Sequence, residues 1–305
     1  MFVTTGNEND NEVALASENG VFWQKLYTKT EIDTMFSNLS SAVFELEASY
    51  YADSVEGYGR NLLDVFNVNT IAEAIAEIRR RCNNSGQIDN TKIPDFRGII
   101  IGDYIDLPSI NDGTTNFIWN DTYKNLRIIV SGFNTYKNSG NSERTNNHIL
   151  FMFRNCVMTR RMNSSVSCQG YKYTELRTYL NGDFATGLKA VLGGGYLYSI
   201  DRLISEYDSW GYTSDSVLLP TEYEVMGAPV WSGIGVSGGF VCQWPIYRHA
   251  IYKCKRFNGS RTRYWLASQE GGKPNLRMNI VEHRAIMNCA DLTTEHGISP
   301  AFCVC

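Results

Sequence analysis

The side chains of this chain best suited to chemistry are suited to recognition. Trp210, Tyr212 and Trp231 lie in or beside stretches rich in Gly and Ser, and so do Gln269, Glu270, Lys273 and Asn275. Flat aromatic faces stack on sugar rings or anchor protein contacts, while short polar groups add adaptable hydrogen bonds. These seven residues are the expected receptor-binding set. Catalysis finds less support. His148, His249, His283 and His296 are far apart, and His148 opens an apolar strand, where a structural role is expected rather than that of a base. No G-x-S-x-G elbow is present, and Gly193-Gly194-Gly195 reads as a turn, not a phosphate loop.

The cysteines are Cys82, Cys156, Cys168, Cys242, Cys254, Cys289, Cys303 and Cys305, with no C-x-x-C pair among them. Zinc sites need paired ligands at short spacing, so no metal cluster is expected. The thiols read as small buried hydrophobes. The other reading is a disulfide or two involving Cys254, Cys289 or Cys303. No catalytic residue, metal ligand or cofactor is assigned.

Bulk properties narrow the partners. The 305 residues are 43% hydrophobic and 20% charged, which excludes wholesale disorder. With a net charge of −4 and no basic run beyond Arg79-Arg80-Arg81, a phosphate-tracking nucleic-acid surface is not expected. No apolar stretch approaches the length of a membrane span. The first twenty residues are acidic and polar, without the layout of a signal peptide, so export by that route is not expected.

The elements that must position these residues fall into four parts. Residues 1–25 read as a polar arm ending in an aromatic patch, Val21, Phe22 and Trp23, suited to anchoring on a larger partner. Residues 26–82 read as a helical stalk. A helix starting near Thr28 or Thr30 places Ile32, Phe36, Leu39, Val43 and Leu46 at alternating spacings of four and three, a heptad seam. A second seam, Val68, Ile71, Ile75, Ile78 and Cys82, follows out of phase. Isoleucine at both core positions favours trimers or tetramers over dimers, and a homotrimer is expected. The other reading of the first seam is one amphipathic helix packed on its own domain. Residues 83–94 form a linker, and 95–305 an α+β domain in which short strands alternate with polar turns. Its expected strands include 98–102, 126–130, 148–153, 264–266, 277–280, 285–287 and 301–304, with helices at 174–180 and 185–192.

Within that domain, IGDYID at 101–106, IVSGFN at 129–134, GYKYTELRTYLN at 170–181, LLPTEYEVMG at 218–227, QWPIY at 243–247, YWLAS at 264–268 and GISPAF at 297–302 occur in a fixed order. Together they resemble a bacterial and bacteriophage family with a C-type-lectin-like fold, found at virion fibre tips and in surface proteins. Ala267 and Ser299 stand where that family usually has Arg. LYTKTEID at 26–33 is similar to the opening of trimeric phage fibre stems.

The resemblance implies a lectin-like recognition domain with Trp244 in its core. Trp119-Asn120-Asp121 matches a calcium-binding triplet of sugar-binding lectins, but it comes too early, and Lys273-Pro274-Asn275 puts a cation where the companion triplet has a carboxylate. Trp119 is therefore read as core and Asn120-Asp121 as a turn. The expectation is a non-enzymatic virion fibre protein, of tail or head, assembled in the host cytoplasm. It would bind a bacterial surface glycan or protein, with neither nucleic-acid binding nor membrane insertion. The alternatives are a virion depolymerase or a bacterial surface adhesin.

Overall fold

The computed structural model describes residues 59–82, 94–137, 139, 146–194, 196–206, 209–232, 242–273 and 275–305, and the backbone alone at 2–3, 12–15, 27–28, 205–206 and 209–210. The chain divides into two units, Met1–Tyr50 and Tyr51–Cys305. In the first, β1 (Phe2–Val3), β2 (Glu12–Leu15) and β3 (Tyr27–Thr28) form an antiparallel sheet in that order. Tyr27 and Thr28 are thus extended where a helix was expected to begin. Val21, Phe22 and Trp23, and the seam of Ile32, Phe36, Leu39, Val43 and Leu46, lie outside the described residues.

The second unit opens with two short helices. Asn61 caps Leu62–Phe66 by accepting from the Leu63 N–H, and Asn67, left-handed at φ 54°, ends it. Val68 therefore falls between helices. The second, Ile71–Cys82, is started by Thr70 and Glu73, whose side chains accept reciprocally from each other's backbone N–H.

Here the expected second seam is corrected. Ala74, Ile75, Ile78 and Cys82 are wholly buried within their own chain. Asn147 Nδ2 donates to the Cys82 carbonyl at 3.1 Å, and Arg79 Nε to the Cys305 carbonyl at 3.0 Å. Ala74 beside Ile75 widens the stripe beyond a coiled-coil seam, and such a stripe docks on a globular core. Ile75 and Ile78 are closed to a neighbouring copy; Val68 and Ile71 keep partial exposure.

Strands dominate the rest. β4 (Tyr104–Asp106), β5 (Ser109–Asn111), β6 (Asn116–Ile118) and β7 (Arg127–Phe133) come first. β8 (Ile149–Phe153), β9 (Met158–Arg161), β10 (Leu197–Tyr198), β11 (Ile200–Glu206) and β12 (Ser209–Asp215) follow. Then come β13 (Lys255–Phe257), β14 (Ser260–Thr262), β15 (Tyr264–Gln269) and β16 (Arg277–Val281). β17 (Met287–Asp291), β18 (Glu295–Ile298) and β19 (Ala301–Val304) end the chain.

Two five-stranded sheets have the orders β10-β19-β8-β7-β4 and β17-β16-β15-β18-β9. The last strand of the chain lies inside the first sheet, pairing Phe302 with Phe151. β8 is buried at every position, so both its faces are covered. Successive side chains alternate between them. Phe153 meets Phe184 at 6.0 Å, and Met152 Sδ, on the opposite face, lies 3.6 Å from Lys255 Nζ.

Thr174 caps the helix Glu175–Tyr179, which passes through a π turn, Leu180–Phe184, into Ala185–Val191. The unit is α+β. Two expected strands fail for backbone reasons. Gly98 and Gly102 take φ of +80° and +97°, turning 98–102 instead of extending it, and Ala285, at φ 62°, puts 285–286 in a hairpin turn. Among the described residues no helix is long and apolar enough to cross a membrane.

Candidate functional site

Two places on this unit gather polar and aromatic side chains at the surface. The first is built on the helix Glu222–Met226. Thr221 and Glu224 form a capping box at its start, which leaves the carboxylate of Glu222, only 1% exposed, free for another task. Its Oε1 accepts from the Trp231 N–H at 2.7 Å and its Oε2 from the Ser232 N–H at 2.9 Å. Gly271 N–H in turn donates to the Trp231 carbonyl at 2.8 Å. The backbone of Trp231 is thus held on both sides while the residue as a whole stays 44% exposed. These bonds join the Trp231 loop to the turn after β15, where Lys273 is exposed.

Other members of the expected set stand elsewhere. Gln269 is 3% exposed as the last residue of β15 and cannot reach a receptor. Glu270 is half-buried and paired with Arg277 at 3.3 Å. Asn275 is half-buried too, its carbonyl accepting from the Cys168 N–H. Trp210 and Tyr212 lie on β12, paired along its whole length with β11, and not in a loop. Tyr212 is exposed; the side chain of Trp210 lies outside the described residues.

Charged and aromatic side chains beneath these loops form a largely buried frame. Arg177 Nε pairs with Asp215 Oδ1 at 2.7 Å, and Arg202 Nη1 with Glu224 Oε2 at 3.0 Å. Tyr136 donates its hydroxyl proton to Glu224 and accepts from Trp244 Nε1 at 3.1 Å. Burial, followed by the Glu224 charge, pushes the Tyr136 phenol far above its ordinary pKa, so it remains a donor. His148 is structural, as expected. Its Nε2 accepts from the Tyr136 N–H at 3.1 Å and its Nδ1 pairs with the Asn146 carbonyl at 3.0 Å. Burial pulls its pKa down to about 4, leaving a neutral ring whose lone pair is already engaged. Trp244 is fully buried, as the core reading expected.

The second place is a cavity of about 280 Å³ beside β4 and β7. Its floor depends on a close backbone approach, since a Cβ on Gly59 would sit 1.6 Å from the Gly102 carbonyl oxygen. Asn120 builds one wall, its Oδ1 accepting from the Thr122 and Tyr123 N–H groups at 3.0 Å each. The Asn120-Asp121 turn is therefore present. Trp119, however, is half-buried outside the core, with Lys124 Nζ 5.5 Å from its ring centroid.

Lys124, Arg127, Arg154 and Arg256 line the cavity together with Tyr104, Tyr123 and Tyr252, and no Asp or Glu does among the described residues. Arg127 is satisfied by Asp106, with both contacts at 2.6 Å, and lies 3.5 Å over the Tyr104 ring. Among the described residues Arg154 donates to the Cys254 and Ile251 carbonyls and stands 4.9 Å over Tyr252, and burial lowers its pKa. Arg256 Nη1 donates to the Gly259 carbonyl at 3.0 Å. This lining is cationic and aromatic.

No motif pointed to the cavity, because its cations are scattered from 124 to 256 and each is unremarkable among its sequence neighbours. Among the described residues no group of three or more His, Cys, Asp or Glu side chains could hold a metal ion, and all eight cysteines are free thiols. In comparisons with known proteins, no family model, curated protein or solved structure matches the chain.

Proposed function

We propose that this chain is a non-enzymatic bacteriophage fibre protein, of tail or head, whose C-terminal unit is a C-type-lectin-like head for a bacterial surface receptor. The observation that carries the binding role is Trp231. An exposed indole loses little entropy on binding when its backbone is already fixed by a buried carboxylate, and rigid aromatic anchors of this kind dominate recognition surfaces. The ordered sequence blocks support the lectin-like assignment, and the LYTKTEID segment supports the fibre.

The arm carrying Val21, Phe22 and Trp23 attaches to the particle, and copies join as a homotrimer through Ile32, Phe36, Leu39, Val43 and Leu46. Ile75 and Ile78 are left out of that joint because they already fill their own core. Three heads on one base convert weak single contacts into avidity.

A bacterial glycan array probed with the purified protein tests the head. Binding that Trp231→Ala weakens about tenfold or more, in proportion to a lost aromatic anchor, is the expected result. Release of reducing ends from bound glycans would replace the binder with a depolymerase. Light scattering tests the joint, and a mass that stays monomeric at tens of micromolar would remove the trimer.

A further inference from the structure

The cavity walled by Tyr123 and Arg154 has a charge balance unlike that of the chain around it. The protein carries a net charge of −4, yet four cations and no carboxylate line this one space among the described residues. Asp106 neutralises Arg127 from outside the lining, which leaves Lys124, Arg154 and Arg256 without a carboxylate partner among the described residues. A guanidinium has roughly five N–H donors in one plane. Arg154 places one bond on each of two carbonyls, and Arg256 one on its own hairpin. Donors therefore remain on both side chains, and burial of Arg154 makes a missing counter-charge more costly than at an open surface.

Size and shape add to the charge. At about 280 Å³ the half-open cavity is too large for a bare inorganic anion and has room for one sugar ring with an acidic substituent. Tyr123 lies against Gly259, where a Cβ would come within 2.7 Å of its ring, so glycine lets this exposed aromatic form the rim. Asn155 ties the two walls together, donating to the Tyr123 carbonyl at 2.9 Å and accepting from the Arg256 N–H at 3.2 Å. The walls are set before any ligand arrives.

We propose that this cavity binds an acidic saccharide, holding its carboxylate or phosphate oxygens among Lys124, Arg154 and Arg256 with Tyr123 against the sugar. The inference rests on the binding reading above only in taking the ligand to be a glycan. Nucleic acid fits less well, because the cations gather at one half-open cavity instead of tracking along a groove.

Calorimetric titration of the full chain with digalacturonate, glycerol phosphate and neutral digalactose tests it. Either acidic probe should bind at least about tenfold more tightly than digalactose at low salt and weaken as salt rises, as charge-assisted contacts do. Which acidic probe binds decides between carboxylate and phosphate. Arg256→Gln and Lys124→Gln should each weaken that binding several-fold with unchanged melting, since neither side chain is buried. Arg154→Met should weaken it further, but its carbonyl contacts make it the variant with a folding risk.

Equal binding of digalactose, no effect of Arg256→Gln and Lys124→Gln, or no acidic binding at millimolar concentration would each overturn the proposal. If glycan-array binding that depends on Trp231 persists in that case, the recognition head stands and only the acidic pocket falls.

Discussion

Replacing Glu222 by Gln separates a rigid anchor from a merely exposed one. In the native chain the two carboxylate oxygens each accept one backbone N–H, from Trp231 at 2.7 Å and Ser232 at 2.9 Å. Hydrogen bonds to a charged group contribute about 1.5–3 kcal/mol each. Glutamine keeps one acceptor and turns an NH₂ toward the other amide, so one bond is lost and two donors face each other. The loop can release locally instead of unfolding the domain, and the loss then appears as local opening of about 2 kcal/mol, or roughly a 30-fold increase in its population. Hydrogen exchange of a peptide covering 228–232 measures that directly. Glycan-array binding of the same variant should fall, because the indole must now be ordered on contact. Trp231→Ala provides the contrast: binding weakens about tenfold or more while exchange at Ser232 stays slow. A Glu222→Gln protein with native exchange and native binding would refute the idea that this carboxylate positions the tryptophan.

Three further outcomes follow from buried groups. His148 has a folded pKa of about 4 against 6.5 for the ordinary value, so the unfolded chain takes up its proton first as pH falls. Its stabilising contribution is complete above pH 6.5 and declines towards pH 4, with about 2 kcal/mol lost by pH 5. Urea melts of His148→Gln should show a correspondingly flatter pH profile, and an unchanged slope would count against this. Lys255 is fully buried with no carboxylate in contact among the described residues, and desolvation drives its pKa far down. Below pH 10 the unfolded state binds a proton that the folded state resists, so Lys255→Met should raise stability at pH 7 by roughly 1–4 kcal/mol and lose that gain near pH 10. Ser299 Oγ still donates to the Phe153 carbonyl at 2.8 Å, so removing the amine orphans nothing there. Ile78→Ala should cost about 2–5 kcal/mol in thermal or urea melts without changing the oligomer mass. A change in mass at native stability would return Ile78 to a subunit interface.

Features written into short stretches were readable without the fold. Ile149–Phe153 is apolar at every position and became a strand buried on both faces. Thr174 precedes acidic, helix-forming residues and became an N-cap. His148, at the head of an apolar strand, became a satisfied structural group. The α+β character follows from these alternations, because backbone hydrogen bonding and side-chain periodicity act over a few residues at a time.

Other outcomes depended on which surfaces meet. The stripe of Ile71–Cys82 declares that one face must be buried, but not whether a second copy or the chain's own terminal strand will bury it; the answer came from Asn147, Val304 and Cys305, more than sixty residues away. Gln269 and Trp231 looked alike as loop residues, yet pairing with β16 took one inside while Glu222 fixed the other at the surface. The basic cavity has no local signature at all. Local sequence determined the elements and their ends; long-range packing decided which apolar faces close, and therefore which charges and rings are left facing a ligand.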